Sequence, residues 1–218
     1  YSNGVDTLVA VNALNYLVGN LGREGGLVFN PEPIVGRGAN ASQATYSSML
    51  DLARDARQGE IDVLILNQTN PVFTLPGAAD FREALAQIPL IVSLSSFMDE
   101  TTSMADLILP SHTYLESWGD DFPEPGVGFS AGAISQPVVS PLYDTRATGD
   151  IILGLARELS LTDALPWSDM EEYLQEGWRG IYARGSTEEE GFEAFWTDVL
   201  KAGVWGETTR RVLPASVD

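Results

Sequence analysis

The chain has 218 residues, 44% of them hydrophobic and 20% charged, which is enough to bury a core and too apolar for a disordered polyelectrolyte. Acidic residues number 31 against 12 basic ones, giving a formal charge of -19 and a pI near 4.1. Such a surface repels nucleic-acid phosphates and anionic lipid. There is no Cys and only one His, His112. Disulfides, thiolate ligands, a Cys nucleophile, a self-contained iron–sulfur cluster and a multi-His metal site are therefore excluded from these residues.

In chain order, the apolar positions Val5, Leu8, Val9, Leu17 and Val18 predict a helix over 5–18, followed by Gly19 and Gly22. Gly-rich loops follow at 22–27 and 36–40, with Pro31 and Pro33 between them. Residues 43–58 read as an amphipathic helix, with Arg54 and Arg57 in its last turn and Gly59 as its stop. Ile61-Asp-Val-Leu-Ile-Leu66 is an almost unbroken apolar run, the pattern of a strand in a sheet covered on both faces. A helix is expected near 77–87, a second strand at 90–94, a short helical stretch at 100–105 and a third strand at 106–109 that Pro110 stops. This alternation predicts an α/β fold with an open, mainly parallel sheet flanked by helices. Residues 119–141, rich in Gly, Pro and Ser, are expected to form a long covering loop. Helices at 148–160, 168–182 and 188–202 then give a helical C-terminal part carrying Trp167, Tyr173, Trp178, Tyr182, Phe192, Phe195, Trp196 and Trp205. The expected division is an α/β domain over 1–160 and a helical extension over 161–218. The run Glu188–Glu190 reads as a charged first helical turn. The sequence begins at Tyr1 without Met or a signal-like stretch, and no run reaches the ~18 apolar residues of a membrane span, so a processed chain or a piece of a longer one is expected.

Several local patterns invite a chemical reading. Gly128-Phe-Ser130-Ala-Gly132 matches the G-x-S-x-G elbow, but no strand leads into it and the single His precedes it, so the match is read as chance in a Gly-rich loop. Ser111-His112 suggests an acid–base pair, against the plainer reading of a His hydrogen-bonded at a strand end. Glu116 with Asp120-Asp121 suggests a hard-cation site, against a solvated acidic face. The strand ends hold more: Asn67-Gln-Thr-Asn70, Ser95-Ser96 and Ser111-His112 all fall where open parallel sheets bind ligands. None of these groups is basic, so the set suits a nucleotide base, a ribose or another neutral polar group better than a bare phosphate. Loop capping by Asn and Ser is the competing explanation.

Three stretches carry a family resemblance. Ile61-Asp-Val-Leu-Ile-Leu-Asn-Gln-Thr-Asn-Pro71 resembles the strand and turn ending in Asn-Pro of the molybdopterin-dinucleotide oxidoreductases. Phe97-Met-Asp-Glu-Thr-Thr-Ser-Met-Ala-Asp-Leu-Ile-Leu-Pro110 resembles their F-x-x-E-T-x-x-x-A-D-x-x-L-P stretch, and 15–26 resembles their L-x-G-N-x-G-x-x-G-G segment. Gln136-Pro-Val-Val-Ser-Pro141 and Asp144-Thr-Arg146 follow in the family's order. Leu115-Glu-Ser-Trp-Gly-Asp120, the Pro-Gly loop after it, and the Trp-containing pairs 195–196 and 204–205 are similar to the molybdopterin-like large subunit of alternative complex III, a quinol-oxidising bacterial membrane complex.

The resemblance implies that one molybdopterin guanine dinucleotide would contact Thr69, Asn70 and Pro71 after the first strand, Ser95 after the second, and Arg37 and Asn40 in the R-G-x-N loop. Ser95 departs from the Asp found in many cofactor-binding members, and a hydroxyl cannot replace a bidentate carboxylate acceptor at a guanine edge. The N-x-E-G-R pattern expected after Gly119 is also missing. The resemblance thus implies a part of a bacterial respiratory oxidoreductase, held at the membrane on its periplasmic side by partner subunits. Within it the chain is expected to act as an alternative-complex-III-like scaffold. The alternatives are a true pterin-dinucleotide half-domain and a free-standing module for a small nucleotide-like ligand. The family's cluster cysteines and metal ligands are expected outside this stretch.

Overall fold

The run that follows Asp62 folds as β1 (Val63–Leu66), and two further short strands, β2 (Leu90–Ser93) and β3 (Leu107–Ile108), complete a sheet of order β1-β2-β3. The structure, a computed structural model, describes residues 3–23, 25–27, 45–77, 80–123, 129–184 and 191–206. Its contacts divide the chain into two compact units, one of Asn40–Gly119 and Ser135–Glu176, the other of Tyr1–Ala39, Asp120–Ile134 and Gly177–Asp218.

In the first of these units all strand pairings are parallel, with Val63 beside Leu90, Ile65 beside Val92 and Val92 beside Leu107. Helix α2 (Tyr46–Arg57) precedes β1. Thr45 starts it with a capping box, in which Ser48 N donates to Thr45 Oγ1 (3.2 Å) and Thr45 N donates to Ser48 Oγ (3.1 Å). Its buried face is Ala53 and Ala56, small enough to let α4 (Phe81–Leu85) approach closely. Phe81, Ala84 and Leu85 of α4 complete a core with Leu66, Ile88 and Ile91. The expected helix over 77–87 is therefore shorter. A separate turn of helix, α3 (Pro71–Thr74), comes first, and α4 starts only after Asp80, whose left-handed backbone (φ 42°) breaks the run. Pro89 then separates it from β2.

The cover of this sheet is uneven among the described residues. Leu64, Leu66 and Ile91 meet this core, and Val92, beside Ile65 on the opposite face, is buried as well. On that face Val63 is 52% exposed, Ile65 47% and Leu107 45%. Hydropathy records that a strand expects burial; it does not say which segment supplies the cover. Helices α5 (Thr148–Glu158) and the first half of α6 (Met170–Tyr182) also belong to this unit, and Gly149 lets them close. A side chain there would collide with Met170 Sδ.

The other unit has a sheet that the sequence reading missed. Residues 119–141 are not one covering loop, because β4 (Gly119–Asp121) and β5 (Ala131–Ser135) lie within them and join β6 (Val204–Gly206) in the order β4-β5-β6. The strands are short and contain Gly and Ala, so their composition resembles a loop; antiparallel pairing of β5 with β6 makes them strands. Trp178 is fully buried at the centre of the aromatic cluster, with Phe122 at 5.2 Å, Phe195 at 6.2 Å and Trp196 at 6.2 Å between ring centroids. Its indole Nε1 donates to Asp120 Oδ2 (3.2 Å), satisfying the one polar atom of a buried Trp. Phe195 and Trp196 come from α7 (Phe192–Ala202). Helix α1 (Gly4–Leu17) forms where expected, with no buried residue although Val5, Leu8, Val9 and Leu17 are apolar. Glu188–Glu190 lie outside the described residues.

Core and open face make different predictions. Leu85→Ala should cost about 2–4 kcal/mol in chemical denaturation, as expected for a buried Leu. Leu107→Ala, on the open face, should cost less than about 1 kcal/mol. Equal losses would show that the sheet is covered on both sides.

Candidate functional site

The polar groups that the sequence places at strand ends do gather at the carboxyl ends of β1, β2 and β3. Much of their bonding capacity is spent on one another. Asn70 follows β1 and immediately precedes Pro71, the first residue of α3, where a missing N–H costs nothing. Its carboxamide reaches across to the loop after β2. Nδ2 donates to Glu100 Oε2 (2.6 Å), while Oδ1 accepts from Thr101 Oγ1 (2.7 Å) and from Thr101 N (3.3 Å). Thr101, fully buried, in turn accepts from Val72 N (3.0 Å). One side chain thus ties the start of α3 to the Glu100-Thr101 turn.

The end of β2 is closed in the same manner. Ser93 Oγ shares a hydrogen bond with Thr102 Oγ1 (2.9 Å) and accepts from Ser95 N (3.2 Å). Ser95 is buried, and its Oγ donates to the carbonyl of Phe97 (3.0 Å) and accepts from Phe97 N (3.1 Å). Such a hydroxyl is a turn-forming group. Asp106, in the Ala-Asp pair of the long motif, accepts from Ile91 N (2.8 Å) and so completes the edge of β2.

Past β3 the arrangement opens. Ser111 Oγ shares a hydrogen bond with Thr148 Oγ1 (2.9 Å), and Gln68 Nε2 lies 3.4 Å from Ser111 Oγ. Gln68 holds a left-handed backbone (φ 48°), a conformation costing a non-Gly residue about 1–3 kcal/mol and concentrated at functional or tightly constrained positions. These three side chains form the polar edge of a cavity of about 450 Å³, whose walls include Trp118, Tyr173 and Leu153. No lining residue is charged. His112 also lines it, and its Nε2 is 3.1 Å from the carbonyl of Thr145, the bond of a strand-end His.

The six residues implied by resemblance therefore part company. Asn70, Pro71 and Ser95 are brought to neighbouring strand ends, with Pro71 and Ser95 buried and Thr69 exposed beside them. Arg37 and Asn40 lie outside the described residues. A dinucleotide offers phosphates and a base edge, which call for free donors. The described rim instead presents an Asn and a Ser bonded to protein, beside Glu100, whose carboxyl is held below the ordinary carboxylate range by the Asn70 amide and then by a backbone N–H. Bonded in this way, Asn70 and Ser95 do not fit that group as its binding wall. Sequence reasoning missed Glu100 as the partner of Asn70, and Thr148, Trp118 and Tyr173 as cavity residues. For Glu100 the signal was available, because Asn70-Pro71 and Glu100-Thr101 are the fixed points of two stretches with the same family resemblance.

The other patterns have structural explanations. Ser130 is buried and leads into β5, with no helix after it, so the elbow arrangement is not formed; Gly128 lies outside the described residues. Glu116 accepts from Thr113 N (2.9 Å) and Leu142 N (2.9 Å), and Asp120 accepts from Trp178. Among the described residues no group of three His, Asp or Glu side chains is placed to hold a metal ion. No helix among them is long and apolar enough to cross a membrane.

The parallel β1-β2-β3 sheet with its flanking helices defines the α/β class of domain. The model of the molybdopterin oxidoreductase family matches residues 1–158, and the chain belongs to that family. It is 31% identical over 163 residues to the menaquinone reductase, molybdopterin-binding-like subunit of Nitratidesulfovibrio vulgaris, covering 72% of this chain and 24% of that protein. It is 28% identical over 202 residues to the thiosulfate reductase molybdopterin-containing subunit of Salmonella typhimurium, covering 77% and 26%. The chain thus spans about a quarter of the length of these relatives. Among solved structures, acetylene hydratase from Pelobacter acetylenicus aligns with a TM-score of 0.49 and 22% identity, over 58% of this chain and 17% of that one.

The Asn70–Glu100 link predicts a pH dependence. Because the folded state lowers the Glu100 carboxyl, its contribution to stability is complete above the pKa of the unfolded chain. It is lost as the pH falls through the lower, folded-state value. Glu100→Gln should therefore flatten the acid limb of a urea-denaturation series run from neutral pH to about pH 3. Glu116 and Glu172, lowered by backbone donors, should keep part of the slope. An unchanged acid limb would mean the link contributes nothing.

Proposed function

We propose that this chain is one wall of a molybdopterin-oxidoreductase fold, retained as a scaffold in a quinone-linked bacterial respiratory complex of the alternative-complex-III type. In this reading it binds no molybdopterin guanine dinucleotide and carries no electrons itself. The single observation behind it is the state of the strand-end rim: Asn70 and Ser95 are engaged by the protein, and the nearby carboxylate of Glu100 stays ionised. An anionic rim on a chain of net charge -19 opposes a dinucleotide's phosphates. The absence of Cys assigns any iron–sulfur cluster to other parts of the complex. The relative named as the molybdopterin-binding-like subunit of a menaquinone reductase supports the quinone link. Other parts or subunits of the complex are the partners, and they would hold the chain at the periplasmic side of the membrane.

A second reading is favoured by the cavity beside Gln68, Ser111 and Thr148: a half-domain that still binds the pterin dinucleotide. Its size and uncharged, partly aromatic lining suit a flat heterocycle.

Metal analysis and oxidised-pterin fluorescence of the assembled, active complex separate the two. The scaffold reading expects neither molybdenum nor pterin, and finding either in stoichiometric amount overturns it. Thr69→Trp supplies an independent check, since Thr69 is exposed and a bulky ring there would obstruct a bound cofactor without disturbing the core. Quinone-linked turnover should be unchanged in that variant. A fall of about tenfold or more in a folded protein would favour the cofactor-binding half-domain.

A further inference from the structure

The chain has four Met and no Cys, so its sulfur chemistry rests on four thioethers. Their surroundings differ. Met98 is 72% exposed in the loop after β2, where an added oxygen is hydrated at no cost to packing. Met104 packs against the core of Phe81 and Leu85, and its sulfur takes a contact from Arg82 Nη1 (3.8 Å). Met49 lies on α2. Met170, half-buried, is the first residue of α6 and stands at the joint with α5.

That joint is tight against α5 and open toward the cavity. A carbon added at Gly149 would lie 2.5 Å from Met170 Sδ and 3.3 Å from its Cγ, so the thioether rests against bare backbone in the first turn of α5. Two hydrogen bonds hold the chain there. Met170 N donates to Asp150 Oδ1 (2.8 Å), and Arg157 Nη1 donates to the carbonyl of Ser168 (2.7 Å). Withdrawing Met170 from α5 would break the first of them. Met170 also lines the cavity of about 450 Å³ beside Leu153, Leu165 and Tyr173. A space of that size admits a molecule as small as a peroxide.

We propose that Met170 is a site of reversible oxidation, its thioether converted to the sulfoxide by a hydroperoxide, and that the added oxygen loosens the packing of α6 on α5. A sulfur lone pair attacks the terminal peroxide oxygen, so that an S–O bond forms as the O–O bond breaks. The sulfur gives up two electrons, and the hydroxyl proton passes to the departing oxygen, which leaves as water or an alcohol. The product carries a polar group where the thioether was apolar. Toward Gly149 the new oxygen has no room, and toward the cavity it sets a strong acceptor among Ile152, Leu153 and Leu165. Either orientation disturbs the joint. The inference rests on the scaffold reading in one respect, that no pterin fills the cavity.

The test treats the full-length folded protein with hydrogen peroxide and follows each Met by peptide mass spectrometry. Met170 should oxidise at no less than about a tenth of its rate in the denatured protein. Protection of about a hundredfold or more overturns the proposal, and the molybdenum and pterin content of the same preparation tells whether the scaffold reading falls with it. In the oxidised protein, amide exchange in α5 and the start of α6 should be about tenfold faster. Methionine sulfoxide reductases specific for each epimer should restore the slow rate. Oxidised Met170 with unchanged exchange also overturns the proposal. Met170→Leu, similar in volume and without sulfur, should keep slow exchange under peroxide. If it loosens as wild type does, another Met is responsible and the proposal fails. Should that variant not fold, Met49→Leu, Met98→Leu and Met104→Leu together leave Met170 as the remaining sulfur of this chain. That variant should loosen as wild type does, and insensitivity to peroxide counts against the proposal.

Discussion

The carboxamide of Asn70 is the point on which the strand-end architecture depends. Parallel strands leave their carboxyl ends in loops that must satisfy their own backbone groups, and here a single side chain reaches about thirty residues along the sequence to do so. It binds Glu100 and the buried Thr101, and Thr101 then receives the first turn of α3. With Ser93, Thr102 and Ser95 closing the neighbouring loop, the rim becomes a bonded network of hydroxyls and one amide. A fully satisfied network of this kind fixes geometry, and the same bonds withdraw those groups from any ligand.

The two units solve the problem of a small core differently. The parallel sheet packs small Ala residues of α2 against α4 on one face and leaves Val63, Ile65 and Leu107 open on the other. The antiparallel unit relies on rings around Trp178, with Asp120 taking the indole proton. Among the described residues, helix α1 is apolar and has no buried residue. A strongly acidic remainder keeps the other surfaces soluble and selects against anionic partners.

Much of this was legible in the sequence, for identifiable reasons. Apolar runs bounded by Pro and Asn located β1, β2 and β3, since a strand's period and its stops are local properties. The helices at Thr148–Glu158 and Met170–Tyr182 were equally clear from their periodicity. The strands β4, β5 and β6 were hidden because Gly119, Gly132 and Ala133 have little strand preference, and only pairing between 131–133 and 204–206 makes them a sheet. Gly132 itself is explained from the far side of that sheet, where a side chain would strike the ring of Phe122. Likewise, the cavity joins Gln68 to Thr148 across eighty residues, a distance over which no local pattern carries information.

The sequence by itself determined the absence of Cys, the acidic balance, the parallel α/β class and, through Asn70-Pro71 and the 97–110 stretch, the family. These are properties of composition and short-range spacing. Tertiary structure alone decided which polar groups remain available, because a hydrogen bond between Asn70 and Glu100 or between Ser95 and Phe97 depends on where the chain returns. It also decided that Val63, Ile65 and Leu107 stay exposed while Val92 beside them is buried. Burial and bonding are relations between distant segments, and a residue's identity specifies what it can bond to without specifying what it meets.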